Sequence, residues 1–192
     1  MDIILIRHGE TEDNLKRIFS RDNTKLTDKG KSQILKSKKL LKNFGYEEVY
    51  YSPLTRAVES TEVLGLNGII EDRIREINFG TFTGMTFDEI RKLHPLKAKE
   101  WLKDSINYRV PKGESVLDVY NRIEEFLKEI IQRDKNVLLI CHDCVIRVAL
   151  CWVFDNPDYF FKFKVDNGSI NIISVEEDYK YIKKTNYKHP LK

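Results

Sequence analysis

The sequence predicts an α/β protein, a three-layer α/β/α sandwich around a mostly parallel sheet. Three observations carry that expectation. Short aliphatic runs at residues 3–6 and 137–140 are bounded by polar residues, as suits strands buried on both faces. Amphipathic stretches of helical period separate the strand-like runs, which is the pattern of alternating β and α elements. Both runs also lead into a histidine, in Arg7-His8-Gly9 and in Cys141-His142-Asp143. Ligands of open α/β sheets sit beyond the carboxyl ends of the strands, where both histidines fall.

Composition sets the outer limits. A chain of 192 residues with 41% hydrophobic content is long enough to bury one full core, so residues 1–192 read as a single domain. With 33 Lys and Arg against 30 Asp and Glu, the net charge of +3 calls for neither nucleic acid nor membrane as partner. A locally basic pocket for a small anionic metabolite stays compatible with it. No apolar run approaches the roughly 20 residues of a membrane span, and Arg7 interrupts the opening run too early for a signal peptide. Three cysteines, an odd number, fit reduced thiols and a cytoplasmic setting.

The elements follow in order. Residues 3–6 form the opening strand, and residues 11–25 are polar and irregular. Thr27 is placed to cap a helix bearing Ile34, Leu35, Leu40 and Leu41, with a solvated lysine face and Gly45 to stop it. Val49, Tyr50 and Tyr51 make a second strand. Ser52 then serves as an N-cap and Pro53 as the first helical residue, which puts Arg56 in the first turn. A cation there opposes the helix dipole unless an anion shares the site, so Arg56 is a candidate ligand-binding residue. Ile69, Ile70 and Ile74 suggest a short third strand leading to Glu76.

Residues 81–112 read as a cap-like excursion. Thr86 and Glu89 fit a capping box, Pro95 ends the helix they start, and Trp101 and Leu102 belong to another. Ser115 and Asp118 fit a second capping box, ahead of a helix with apolar spacing at Val116, Val119, Ile123, Phe126, Leu127, Ile130 and Ile131. After the strand that ends at His142 comes a helix over 144–153, then strands over 169–175 and 179–185 and a frayed tail over 188–192. His94 and His189 read as ordinary surface residues, and Tyr179, Tyr181 and Tyr187 as edge-strand packing.

Strand ends on one edge of a parallel sheet converge, so Arg7, His8, Arg56 and His142 are expected in one pocket. Guanidinium groups offer planar, paired donors to phosphate oxygens, and an imidazole nitrogen can attack phosphorus. Glu76 adds a proton donor for a departing alcohol.

These residues, with Thr11, Asn14, Leu26-Thr27-x-x-Gly30, Ser52-Pro53-Leu54-x-Arg56-Ala57, Phe79-Gly80 and Gly113-Glu114-Ser115, resemble the histidine phosphatase superfamily, phosphoglycerate-mutase-like phosphatases included. The resemblance spans residues 1–185. It implies His8 as the nucleophile that becomes phosphohistidine, with Arg7, Arg56 and His142 holding the phosphoryl oxygens. It implies Asn14 as a further phosphate contact and Glu76 as the proton donor to the leaving oxygen. It implies no metal and no cofactor, since cationic side chains do the electrostatic work. Arg7 beside His8 also disfavours a protonated imidazole.

The sequence departs from the family where it has Asp143, a position usually glycine. Asp143 is read either as a cap on the following helix or as a substrate-related residue. Ser20 and Asn23 stand where the family often has glycine and aspartate, which bears on the substrate loop. Cys141-x-x-Cys144 offers a redox or metal-binding alternative, but that leaves Arg7, His8, Arg56 and Glu76 without a role. A short excursion whose polar cluster is Tyr108, Arg109 and Lys112 favours a phosphatase over a phosphoglycerate mutase. Similar short members include α-ribazole-5′-phosphate phosphatases, which suggests that substrate. Oligomeric state is open.

Overall fold

A computed structural model of the protein describes residues 1–177 and 179–188. Six strands, β1 (Asp2–Arg7), β2 (Glu48–Tyr51), β3 (Ile69–Ile70), β4 (Val137–Cys141), β5 (Ile170–Glu176) and β6 (Tyr179–Tyr187), form one sheet in the order β3-β2-β4-β1-β5-β6. The pairings from β3 through β1 are parallel, while β5 and β6 pair antiparallel. The mostly parallel α/β sandwich expected from the strand pattern is therefore the observed one.

The layers follow from the aliphatic runs. Ile3, Leu5, Val137 and Leu139 point to one face, against α6 (Val116–Ile131) and α7 (Asp143–Trp152). Ile4, Ile6, Leu138 and Ile140 point to the other, against α2 (Asp28–Leu41) and α3 (Thr55–Leu64). All four residues 3–6 are fully buried. Each such side chain contributes about 1.5–3 kcal/mol relative to exposure, an upper figure because the unfolded chain already shields part of its apolar surface. A central strand with both faces covered cannot tolerate alternation of polar residues, which explains the unbroken run.

Caps place the helices. Thr27 accepts from Gly30 N at 3.0 Å, and both expected capping boxes form, at Thr86/Glu89 and Ser115/Asp118. Gly9 and Gly30 meet where α2 begins: a Cβ on Gly9 would lie 2.3 Å from the Gly30 carbonyl oxygen. Gly9 thus serves close approach of α2 to the loop after β1.

Several expectations are corrected. Residues 11–25 are not wholly irregular, because Thr11 and Asn14 form a capping box on a single helical turn, α1 (Glu12–Leu15). The second helix ends at Leu41, before Gly45, and Leu35 lies on its solvent side. Ser52 is not an N-cap. Helix α3 starts two residues later, with Leu54 in the cap position and no side-chain cap bond, because Ser52 is used elsewhere. Ile74 sits in a 3-10 turn (Asp72–Ile74), not in a strand. The expected tail over 188–192, including His189, lies outside the described residues beyond Lys188.

Residues 80–110 leave the sheet as a 3-10 turn (Gly80–Phe82), α4 (Phe87–Leu93) and α5 (Pro95–Lys103). Phe82, Ile90, Ala98 and Val110 give this segment a small core of its own, flanked by Phe19, Phe79, Trp101 and Tyr108. Arg109 pairs with Asp118, and Tyr108 stacks on Trp101 at 6.4 Å. His94 lies in the junction of α4 and α5, its ring 5.9 Å from that of Phe82. In the edge strand, Tyr179 stacks on Tyr181 at 5.6 Å, and Tyr187 meets Phe44 edge-on.

Candidate active site

Register brings the two histidines together. Arg7 pairs with Cys141 across β1 and β4, so His8 and His142 leave adjacent strand ends side by side, with ring centroids 5.2 Å apart. Tyr51 of β2 pairs with Ile140, which sets Ser52 beside His142. Arg56 enters from the first turn of α3, fully buried, and donates from Nε to His8 Nε2 at 3.3 Å.

Hydrogen bonding assigns the imidazole protons. His8 Nδ1 lies 2.7 Å from the Gly9 carbonyl oxygen, which only accepts, so Nδ1 carries the hydrogen and Nε2 the lone pair. Burial first, then the charges of Arg56 and Arg7, hold His8 well below the usual histidine range. His142 is depressed in the same way, chiefly by burial. Its Nε2 lies 2.7 Å from Ser52 Oγ, which also accepts from Leu54 N at 3.3 Å. When Ser52 donates to Nε2, the hydrogen of His142 lies on Nδ1. That atom is buried without a protein partner, as is Arg7 Nε. Two orphaned buried donors cost about 1–3 kcal/mol each unless an acceptor meets them, and phosphoryl oxygens are acceptors.

Glu76 follows the 3-10 turn after β3, where its Oε1 accepts from Ile77 N at 3.1 Å and Cys144 N at 3.2 Å. Desolvation raises its carboxyl above the ordinary range; Asp143 pushes the same way, and Arg56 opposes. Asn14 takes part through its main chain and Oδ1, which accepts from Thr11 N at 3.2 Å and Asn167 Nδ2 at 3.1 Å. Only its Nδ2 donors are left for a phosphate. The residues expected from the sequence thus gather at one set of strand ends; Ser20 lines the cavity beside Glu76, and Asn23 shows no side-chain bond into the site.

Asp143 is not a cap. His142 occupies the cap position of α7, and Asp143 begins the helix with its carboxylate 3.3 Å from Arg7 and 2.9 Å from Arg147. Two guanidiniums outcompete the helix's own N–H groups for it. The aspartate therefore ties Arg7 to α7, and its charge is matched on both sides.

Three contributors were missed in the sequence. Ser52 was assigned to a helix cap. Asn167 donates to the His8 carbonyl at 3.2 Å from the loop before β5. Arg122 of α6 donates to the Arg75 carbonyl at 2.9 Å and to Glu114 at 2.9 Å, while Glu114 accepts from Asn78 N at 2.9 Å. That brace pins the segment carrying Glu76. Ser52 and Glu114 stood in motifs that marked them; Asn167 and Arg122 did not. The C-x-x-C pair is occupied structurally: Cys141 and Cys144 are buried free thiols, and burial pushes both upward, opposite to a reactive redox cysteine.

A pocket that keeps its imidazoles neutral while facing them with guanidinium charge suits a phosphoryl group, and the sheet edge that carries it gives the frame of a phosphatase. The profile of the histidine phosphatase superfamily (branch 1) matches residues 3–188. Phosphoserine phosphatase 1 of Hydrogenobacter thermophilus is 32% identical over 192 residues, covering 96% of this chain and 91% of that protein. Human 6-phosphofructo-2-kinase/fructose-2,6-bisphosphatase 1 is 32% identical over 155 residues, 80% of this chain but 32% of that much longer protein. Among solved structures, the α-ribazole phosphatase of Shigella flexneri superposes with a TM-score of 0.90 at 22% identity, covering 97% of this chain and 96% of that one. The chain belongs to the histidine phosphatase superfamily. It is, as an enzyme, a phosphoric monoester hydrolase. Among the described residues no helix is long and apolar enough to cross a membrane.

Proposed function

We propose that the protein is a metal-independent phosphomonoesterase that acts on a small phosphorylated metabolite through a phosphohistidine at His8. The observation that carries this reading is the lone pair of His8 Nε2, fixed by the Nδ1 bond to Gly9 and steered by Arg56 at 3.3 Å. In the first step Nε2 forms a bond to phosphorus as the ester P–O bond breaks. The bonding pair leaves with the alcohol oxygen, which takes its proton from Glu76. In the second, water attacks phosphorus, gives its proton to the Glu76 carboxylate and displaces Nε2, releasing phosphate. Arg7, Arg56, His142 Nδ1 and Asn14 Nδ2 hold the phosphoryl oxygens and the charge that builds on them. Buried unpaired cysteines support a cytoplasmic location.

Hydrolysis is favoured over a mutase reaction because a mutase must hold a second phosphate. The cations that line the cavity beside Glu76 are already matched: Arg75 by Asp22 at 2.7 Å and Arg122 by Glu114 at 2.9 Å. Phosphoserine and α-ribazole 5′-phosphate are the substrates that the relatives suggest. A set of phosphomonoesters assayed with EDTA, 3-phosphoglycerate with and without its bisphosphate among them, is expected to release phosphate without added metal. Isomerisation of 3-phosphoglycerate without release would replace this reading with the mutase.

The pH dependence has a determined sign. His8 must be neutral, so activity is lost as pH falls through its depressed value; Glu76 must be protonated, so activity is lost as pH rises through its raised one. Asp143 helps keep the Glu76 proton in place. Replacement Asp143→Asn is expected to move the alkaline limb of kcat to lower pH, and a limb that stays or moves upward would remove Asp143 from this role.

A further inference from the structure

A second cavity opens at Glu76 and enters none of the steps above. It has a volume of about 210 Å³, and Glu76, Asp143 and Cys144 are among the residues that line it. Its walls are aromatic: Phe19, Phe79, Trp101, Tyr108, Phe160 and Phe161. We propose that this cavity receives the leaving group, and that the substrate is the phosphomonoester of a neutral, predominantly apolar alcohol carrying a ring. The proposal rests on the phosphatase reading and names the substrate class of that same site.

Position is the first argument. A proton donor must lie within hydrogen-bond reach of the leaving oxygen, so the rest of the alcohol extends from Glu76. Two cavities begin there. The polar one, about 390 Å³, holds Arg75 and Arg122, both already paired with carboxylates. The aromatic one has unmatched capacity for an apolar group, since Ile77, Val110 and Val116 join the six rings that line it.

Charge is the second argument. Among the described residues no lysine or arginine lines the aromatic cavity. Its carboxylates other than Glu76 are neutralised, Asp143 by Arg7 and Arg147, Glu114 by Arg122. A carboxylate on the substrate would find no free cation, and an ammonium no free anion. A zwitterionic alcohol would lose hydration there without replacement, at a cost that an apolar group does not meet.

Size and continuity complete the case. Cavities near 150 Å³ take a benzene ring, so about 210 Å³ accommodates one with its linking atoms. Phe19 and Trp101 sit 5.3 Å apart, centroid to centroid, and both also line an outer cavity of about 470 Å³ with Phe87, Leu102 and Phe161. Phe161 is 60% exposed and Leu102 66%, an unusual outlay of apolar surface that continues the wall to solvent. The alcohol therefore has room to be larger than a single ring.

The test compares kcat/KM, with EDTA present, for 2-phenylethyl phosphate and phosphoserine, both esters of primary alcohols. A preference of about tenfold or more for the phenylethyl ester is expected, the scale of discrimination that one apolar pocket supplies. Replacing exposed Phe161 by alanine, and separately Trp101→Leu, is expected to lower that preference several-fold, mainly through KM, with unchanged thermal stability for Phe161→Ala. Equal rates, a preference for phosphoserine, or a preference untouched by both substitutions would overturn the proposal while leaving His8-dependent hydrolysis standing. Phosphate release from neither ester would overturn it together with the phosphatase reading.

Discussion

Alanine in place of His8 is expected to abolish phosphate release, by at least about 10³-fold in kcat, since it deletes the proposed nucleophile and not merely a contact. The structure makes the loss specific. His8 Nε2 faces the Arg56 guanidinium at 3.3 Å, whereas the Nε2 of His142 faces the Ser52 hydroxyl at 2.7 Å. Quenching wild-type turnover in base should trap an acid-labile phosphoryl group, and the variant should trap none. Undiminished ester cleavage by the alanine variant would end the mechanism, whatever else the pocket contains.

The second large effect concerns Glu76. A glutamine there keeps the shape and one acceptor for Ile77 N and Cys144 N, but has no acidic proton. Alkyl esters, whose leaving oxygen needs protonation, are expected to slow by about 10²–10⁴-fold. p-Nitrophenyl phosphate, whose leaving group departs as an anion, should slow far less. The variant should also lose the alkaline limb of the pH profile, because that limb reports the raised Glu76 carboxyl. A uniform loss over both ester types would instead place the proton donor elsewhere.

The difference between these two residues and the ones missed is physical. His8, His142 and Arg56 stand next to strand runs or helix starts that a one-dimensional pattern reveals, so their convergence was legible before any coordinates. Ser52 also stood in plain view, but its local chemistry suggests a helix cap. Only the pairing of β2 with β4 shows that its hydroxyl lies 2.7 Å from His142. Asp143 failed in the same direction. Its residue type favours capping α7, yet two guanidiniums from β1 and the same helix stand closer and hold a full charge. Arg122 carried no local signal at all, since its role is to gather the carbonyls of a segment some 46–49 residues earlier in the chain.

The sequence alone determined the layers, the parallel centre of the sheet and which side chains meet at its strand ends. Each of these depends on short-range periodicity or on a residue type at an element's end. Tertiary structure alone decided the tautomer of His8, the pairing of Asp143, the brace behind Glu76 and the aromatic cavity against it. Those are properties of distance and desolvation between segments far apart in the chain, and spacing along the chain carries no record of either.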